Sequence, residues 1–543
     1  MRIYSIPRVT PFFLTLPVAL GSCNIHKENL QEKPNIIIIY TDDVGYGDIG
    51  CYGGSLVSTP NIDNLAANGL KFTNSYAASA TSTPSRYALL TGEYYWRKPP
   101  GWRVGDLEGT SIAPGDAGMI IDTGILTLPS ILGDAGYVNA VVGKWHLGLG
   151  PLGGPDWNGV ITPGPEDIGF DYSFLIPATG DRVPCVYVEN RRIVNLDPDD
   201  PLEVSFNQPI GDDLTIYNPD VTPEIITSYP KPGESRISKE REDVKMHPSF
   251  GHDQTIINGI PRIGYMTGGY AARWKDEDMA DVITKKAVNF IRENQNNRFF
   301  LYFSTHDIHV PRVPHERFVG KSEIGVYGDV IKQMDWCVGE IMNTLDELNL
   351  REKTLVIFTS DNGPVLDDGY HDGSPEETVG HLPAGPFRGG KYSAFEGGTK
   401  VPFIVHWPAR VQPGISTALF SQIDILATFA SLIGHENPDN ITYDGSDQLP
   451  ALLGKDPKGR EYVIQQNMGG TLSVVKGQWK YIEHSDGPAL NPYTTPNIEL
   501  GNFPSHQLYN LETDITEKID LANDNYEKVR EMSGILETIR NMD

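Results

Sequence analysis

The stretch Asn35-Ile36-Ile37-Ile38-Ile39-Tyr40-Thr41-Asp42-Asp43 decides the fold. From Ile36 to Tyr40 it is an unbroken apolar run, rich in β-branched side chains and without polar alternation. That pattern belongs to a strand buried on both faces, as in a parallel sheet covered by helices. Asp42 and Asp43 follow at once, then Gly45, Gly47 and Asp48 in a loop. Open α/β sheets hold their ligands beyond the carboxyl ends of their strands. Two adjacent carboxylates there repel each other unless a cation lies between them; without one, an Asp pair serves as a solvated turn or a helix cap.

Working outward, the same pattern returns. The run 138–142 leads into Gly143-Lys144-Trp145-His146-Leu147-Gly148, and 299–304 into Thr305-His306-Asp307-Ile308-His309-Val310-Pro311. The run 354–358 ends in Ser360-Asp361-Asn362-Gly363. Lys144 and His146 point the same way if the segment stays extended. Asp361 and Asn362 add hard oxygen donors, which suit calcium or magnesium better than zinc. Helices are predicted over 59–69, 126–136, 277–294, 328–348 and 422–433 from apolar spacing and end signals. Residues 151–276 show little regular periodicity and read as a long recognition region containing Asp181, Arg182 and His252. Residues 97–119, with Trp102 inside and Trp96 just before, read as a loop near a pocket mouth. A polar connector over 438–460 precedes short strands at 462–466, 472–475 and 479–482 and a closing helix over 526–542.

Thr81-Ser82-Thr83-Pro84-Ser85-Arg86 is a polar turn feeding a helix that Gly92 stops. A serine at a helix entrance faces the positive end of the dipole, and Arg86 offers a fork of donors to a tetrahedral oxyanion.

With 543 residues the chain has room for several domains. Its net charge of −27, from 44 basic and 71 acidic side chains, argues against nonspecific nucleic-acid binding. An anionic substrate would then need a local island of Lys, Arg and His. Arg2 and Arg8 precede an apolar run over 11–20, too short to span a bilayer, so a removable signal is expected. Leu20-Gly21-Ser22-Cys23 resembles a bacterial lipobox, with cleavage before Cys23, a lipid on its sulfur and a polar tether to residue 33. A plain secretory signal is the other reading. Cys51, Cys185 and Cys337 would remain, an odd number read as core thiols, with a single disulfide left open.

Ser82-x-Pro84-Ser85-Arg86 followed by Thr91-Gly92 resembles the signature of the type I sulfatases, in a serine-type form. The downstream motifs resemble that family in order. The resemblance implies an alkaline-phosphatase-like α/β/α sandwich with a mixed sheet over 34–440, after a signal over 1–22 and a tether over 23–33. A small C-terminal α+β subdomain is implied over 441–543. It also implies a formylglycine made from Ser82 by a serine-type maturating enzyme. A calcium ion would be held by Asp42, Asp43, Asp361 and Asn362 together with residue 82.

Arg86, Lys144 and Lys391 are implied to bind the sulfate oxygens. His309, with His306 as competitor, would protonate the leaving oxygen, while His146 would take a proton from the second hydroxyl of the hydrated aldehyde. Both histidines are expected to titrate near neutrality.

Residues 178–195 resemble bacterial sulfatases acting on galactose or N-acetylgalactosamine sulfates. The 6-sulfate is favoured and the 4-sulfate comes next, with Asp181, Arg182 and His252 on the sugar hydroxyls. The expected protein is exported, touches a membrane only through its lipid, and works on a sulfated saccharide in the periplasm or at a bacterial surface. A phosphatase or phosphonate hydrolase, a non-catalytic glycan-binding lipoprotein and an arylsulfatase without sugar specificity are the rival readings.

Overall fold

The apolar run forms a central strand. In the computed structural model β1 (Asn35–Thr41) is buried along its whole length. Each of its isoleucines is fully withdrawn from water, worth roughly 1.5–3 kcal/mol per side chain. The structure describes residues 1, 33–98, 112–211, 217, 224–225, 239–240, 244–435, 442 and 444–542. The expected lipobox at Cys23 and Trp102 lie outside the described residues.

The other sheet strands are β2 (Leu70–Phe72), β3 (Val138–Lys144), β4 (Tyr172–Ile176), β5 (Val188–Glu189) and β6 (Arg192–Ile193). They are followed by β7 (Phe299–Ser304), β8 (Thr354–Ser360), β9 (Phe403–His406) and β10 (Gly414–Ser416). They form one ten-stranded mixed sheet in the order β10-β2-β9-β8-β1-β7-β3-β4-β5-β6. From β8 to β4 the neighbours run parallel, while β9, β2, β5 and β6 join by antiparallel pairings. The carboxyl ends of β1, β3, β7 and β8 therefore lie along one edge. Two groups of helices cover the sheet. In one, α1 (Pro60–Ala67) and α4 (Met279–Glu293) pack on α5 (Gly325–Glu347). In the other, α2 (Ser82–Thr91), α3 (Leu128–Asp134) and α6 (Ile425–Leu432) pack on one another.

Strand β4 lies inside the segment read as recognition loop. Its apolar core is only Phe174-Leu175-Ile176, too short to show a period, and pairing with β3 supplies the rest. Four antiparallel strands, β11 (Val463–Gln466), β12 (Leu472–Lys476), β13 (Trp479–Ile482) and β14 (Gln507–Asn510), make a second small sheet beside α7 (Tyr526–Arg540). Their apolar faces share one cluster with Ala88 of α2 and Tyr94. Trp96 stacks on Tyr94 there, at 5.4 Å, while Ile112, within the loop expected near a pocket mouth, lines the cavity described below. Cys51, Cys185 and Cys337 are free thiols. No helix among the described residues is long and apolar enough to cross a membrane.

Candidate active site

The strand ends and the start of α2 meet at one point. Ser82 is the first residue of α2, and Gly92 closes that helix in the left-handed conformation. The Lys144 ammonium donates to both Asp42 oxygens at 2.7 Å and to Ser82 Oγ at 2.9 Å. Ser82 Oγ lies 3.4 Å from Asp42 Oδ1 and 3.5 Å from Asn362 Oδ1. Asn362 Nδ2 donates to Asp43 Oδ1 at 2.7 Å, and Lys391 bridges Asp43 and Asp368 at 2.9 and 2.8 Å.

Three of these residues bend the backbone. Asp43 (φ 59°), His146 (φ 57°) and Tyr392 (φ 78°) are non-glycine residues in the left-handed region, where strain is tolerated only under strong surrounding constraint. His146 is therefore not on an extended segment with Lys144; its own turn brings it to the site. Gly143, just before, is required because a Cβ there would come within 1.8 Å of the Ser304 carbonyl oxygen.

Arg86 is wholly buried beneath the carboxylates. Its Nε and Nη2 donate to Asp361 Oδ2 at 3.0 and 2.7 Å, and Nη1 donates to Ser304 Oγ. The fork expected to face an oxyanion is engaged by Asp361, so Arg86 fixes that carboxylate from behind. Lys144 is equally enclosed.

Above this floor lies a cavity of about 270 Å³, open to Ser82, His146, His309 and Lys391 on one side and to Asp181, Arg182 and His252 on the other. Asp181 Oδ2 accepts from His252 Nε2 at 2.8 Å, and its Oδ1 accepts from Thr179 Oγ1. Burial alone would raise the Asp181 carboxyl, but Arg182, the His252 bond and His309 hold it well below the usual range. Arg182 Nη1 sits 3.1 Å from His146 Nε2, joining the recognition segment to the strand-end motif. His306 does not line the cavity, and burial pushes it down to about 3.

The surroundings of both histidines act against titration near neutrality. Burial first, then Lys144 and Arg182, push His146 well below its ordinary value. Burial, then Lys391 and Lys144, do the same to His309. His309 Nδ1 donates to the Val310 carbonyl at 2.8 Å, which leaves Nε2, 4.0 Å from Asp43, as the reactive nitrogen.

A family model described as Sulfatase matches residues 34–183 and 205–435. The chain belongs to the sulfatase family. This sulfatase is 53% identical over 540 residues to an N-acetylgalactosamine-6-O-sulfatase of Bacteroides thetaiotaomicron, covering 99% of either chain. It is 31% identical over 502 residues to human arylsulfatase A, covering 91% of this chain and 84% of that one. A solved structure from work on glycosaminoglycan metabolism by Bacteroides thetaiotaomicron superposes with a TM-score of 0.85 at 54% identity, covering 94% and 99% of the two chains. The sulfatase is accordingly a sulfuric ester hydrolase.

The family implies a metal ion, and the residues of this sulfatase fit one. Asp42, Asp43 and His309 offer ligand atoms within 4.8 Å of one another, all buried. Burial, then Asp361 and Asp43 against the opposing Lys144, raise the Asp42 carboxyl to about 8, a crowding that a divalent cation relieves. With Asp361 and Asn362 beside them, the donors are mostly hard oxygens.

Among the residues lining the sulfatase cavity that sequence reasoning missed are Phe250, Asp368, Tyr392 and Tyr493. Asp368 accepts from Lys391 and, at 2.7 Å, from the Tyr392 hydroxyl. The adjacent Lys391-Tyr392 pair was the one signal in the sequence; Asp368 sits in a Gly-rich loop that carries no period.

Proposed function

We propose that this sulfatase removes the 6-sulfate from terminal N-acetylgalactosamine, or galactose, of sulfated glycans, using a formylglycine made from Ser82 and a calcium ion. One observation carries the reading: Ser82 Oγ lies between Lys144 and the Asp42 and Asn362 oxygens, at the floor of a cavity whose other wall is the Asp181–His252 pair beside Arg182. The 53% full-length identity to an N-acetylgalactosamine-6-O-sulfatase supports the choice of sugar.

Asp42, Asp43, Asp361 and Asn362 would hold the calcium. When bound, it supplies Lewis-acid charge at the sulfate oxygens, and the oxidised residue 82 supplies a hydroxyl able to attack sulfur. Lys391 faces the cavity and binds sulfate oxygen, while Lys144 keeps a fixed positive charge under residue 82. Neutral His146 is ready to accept a proton. His309 must gain one before it serves the leaving oxygen, and the negative charge that develops on that oxygen as the S–O bond breaks raises its proton affinity. Asp181, held in place by His252, accepts from sugar hydroxyls, and Arg182 ties the pair to His146. The maturating enzyme and a lipid on Cys23, which puts the protein in the periplasm or at the cell surface, complete the proposal.

The test is a panel of defined saccharides carrying single sulfates. Release from N-acetylgalactosamine 6-sulfate is expected to exceed release from the 4-sulfate and from phosphate esters by more than about a hundredfold, since sites that leave polar groups unpaired reject analogues by up to roughly 10⁴–10⁵. A preference for the 4-sulfate, for phosphate esters or for simple aryl sulfates would replace this reading.

A further inference from the structure

At the rim of the cavity Phe250 and Tyr493 stack on each other, ring centroids 4.1 Å apart and planes 26° from parallel. They come from distant parts of the chain, one from the recognition segment and one from the loop between β13 and β14. Each ring gives one face to the other, yet both remain 49% exposed. A single exposed aromatic needs no explanation. Here two share the mouth of a pocket whose floor is charged.

The pair is also wired to the wall below. The Phe250 carbonyl lies 2.7 Å from His252 Nδ1, and His252 Nε2 holds Asp181. Tyr493 is anchored separately, its N–H donating to Asn491 Oδ1 at 3.0 Å, and Asp367 bridges to Thr495 in the same loop. The rim is thus fixed at both ends.

We infer that the Phe250–Tyr493 pair is a binding subsite for the second sugar of the substrate, the ring glycosidically joined to the sulfated one. This rests on the saccharide reading above and adds the length of saccharide recognised. The argument is one of space and chemistry. A volume of about 270 Å³ is at the small end of ligand pockets and has room for about one sugar ring. Anything attached to that ring must leave through the mouth, where it meets the aromatics. A pyranose presents a face of C–H groups with hydroxyls at its edge. It matches a ring with an apolar body, and the tyrosine adds a polar tip. The second sugar adds no bond to the reacting sulfate, so its contribution is to binding.

The test compares N-acetylgalactosamine 6-sulfate with a disaccharide bearing the same residue at its non-reducing end, on matured, metal-loaded enzyme. Wild type should favour the disaccharide in kcat/KM. Phe250→Ala and Tyr493→Ala should each cut the disaccharide value, mainly through KM, by about three- to tenfold more than the monosaccharide value, the range an aromatic face contributes. Phe250→Tyr should restore the preference. Tyr493→Ala leaves the Phe250–His252 contact untouched, so agreement between the two variants separates stacking from displacement of His252. Equal losses on both substrates, or a wild type indifferent to length, would overturn the subsite alone. A wild type that turns over neither saccharide would overturn the saccharide reading and the subsite with it.

Discussion

The close polar neighbours of Ser82 Oγ include Lys144, Asp42 and Asn362. No histidine base is among them, and Asp42 holds Lys144 as an ammonium donor, which favours oxidation of the residue over its use as a hydroxyl. The carboxylates around it set the next expectation. With Asp42 raised to about 8 and Asp43 also raised, both mainly by burial, these carboxyls favour protons that a hard divalent ion would displace. Chelation should remove activity; calcium should restore it better than zinc, and full activity in metal-depleted protein would exclude the ion from the reaction. Lys144, His146 and His309 stand just after apolar runs that the sequence shows, whereas Ser82, in a polar turn, and Lys391, in a Gly-rich loop, were expected from the family resemblance alone. Arg86 was legible as a residue but not in its placement: no spacing tells that its fork faces Asp361 rather than the cavity. Phe250, Asp368 and Tyr493 were not legible, because loops carry no period and only the folded chain brings them together.

At the scale of elements, the parallel strands were readable from continuous apolar runs, since burial on both faces writes itself into every position. Strand β4 was not, because its few apolar residues depend on β3 for a partner. The small sheet reaches the active site through buried charge. Glu396, five residues after Lys391, accepts from Lys480 of β13 at 3.0 Å and from Lys400 at 3.1 Å. Glu517 Oε2 accepts from the Glu396 backbone N–H at 2.8 Å. Burial works against ionisation of Glu396, but the two lysines overcome it and hold the carboxyl down at about 2, whereas burial, with Glu396 adding to it and Lys480 opposing, raises Glu517 to about 8. An acid whose folded value exceeds its unfolded one favours the fold at low pH. Its contribution is whole below the ordinary value of 4.5 and is lost as pH rises through about 8. The difference in Tm between wild type and Glu517→Gln should therefore drift against wild type from pH 5 to pH 9, by a few degrees on the scale of about 2–4 °C per kcal/mol for large domains. A pH-independent difference would mean that Glu517 is ionised throughout.

The whole molecule carries −27 charges, yet lines one cavity with Lys391 and Arg182 and holds Arg86 and Lys144 buried beneath it. The acidic surface repels sulfated polymer at long range and leaves recognition to contacts inside the pocket, so turnover of an anionic saccharide should rise with moderate salt. A fall with salt would mean that steering, not contact, governs capture. Export belongs to the same scale: Cys23→Ala should free the protein from membranes with its activity intact, and unchanged membrane fractionation would remove the lipid anchor from the account. Maturation of residue 82 is where fold, charge and chemistry meet, and its mass is the most direct test. Peptide mass spectrometry of active enzyme from a host with serine-type maturation should find residue 82 lighter than serine by two hydrogens and reactive toward hydrazides, in proportion to activity. Unmodified Ser82 in protein that sustains full multiple turnover would contradict the account.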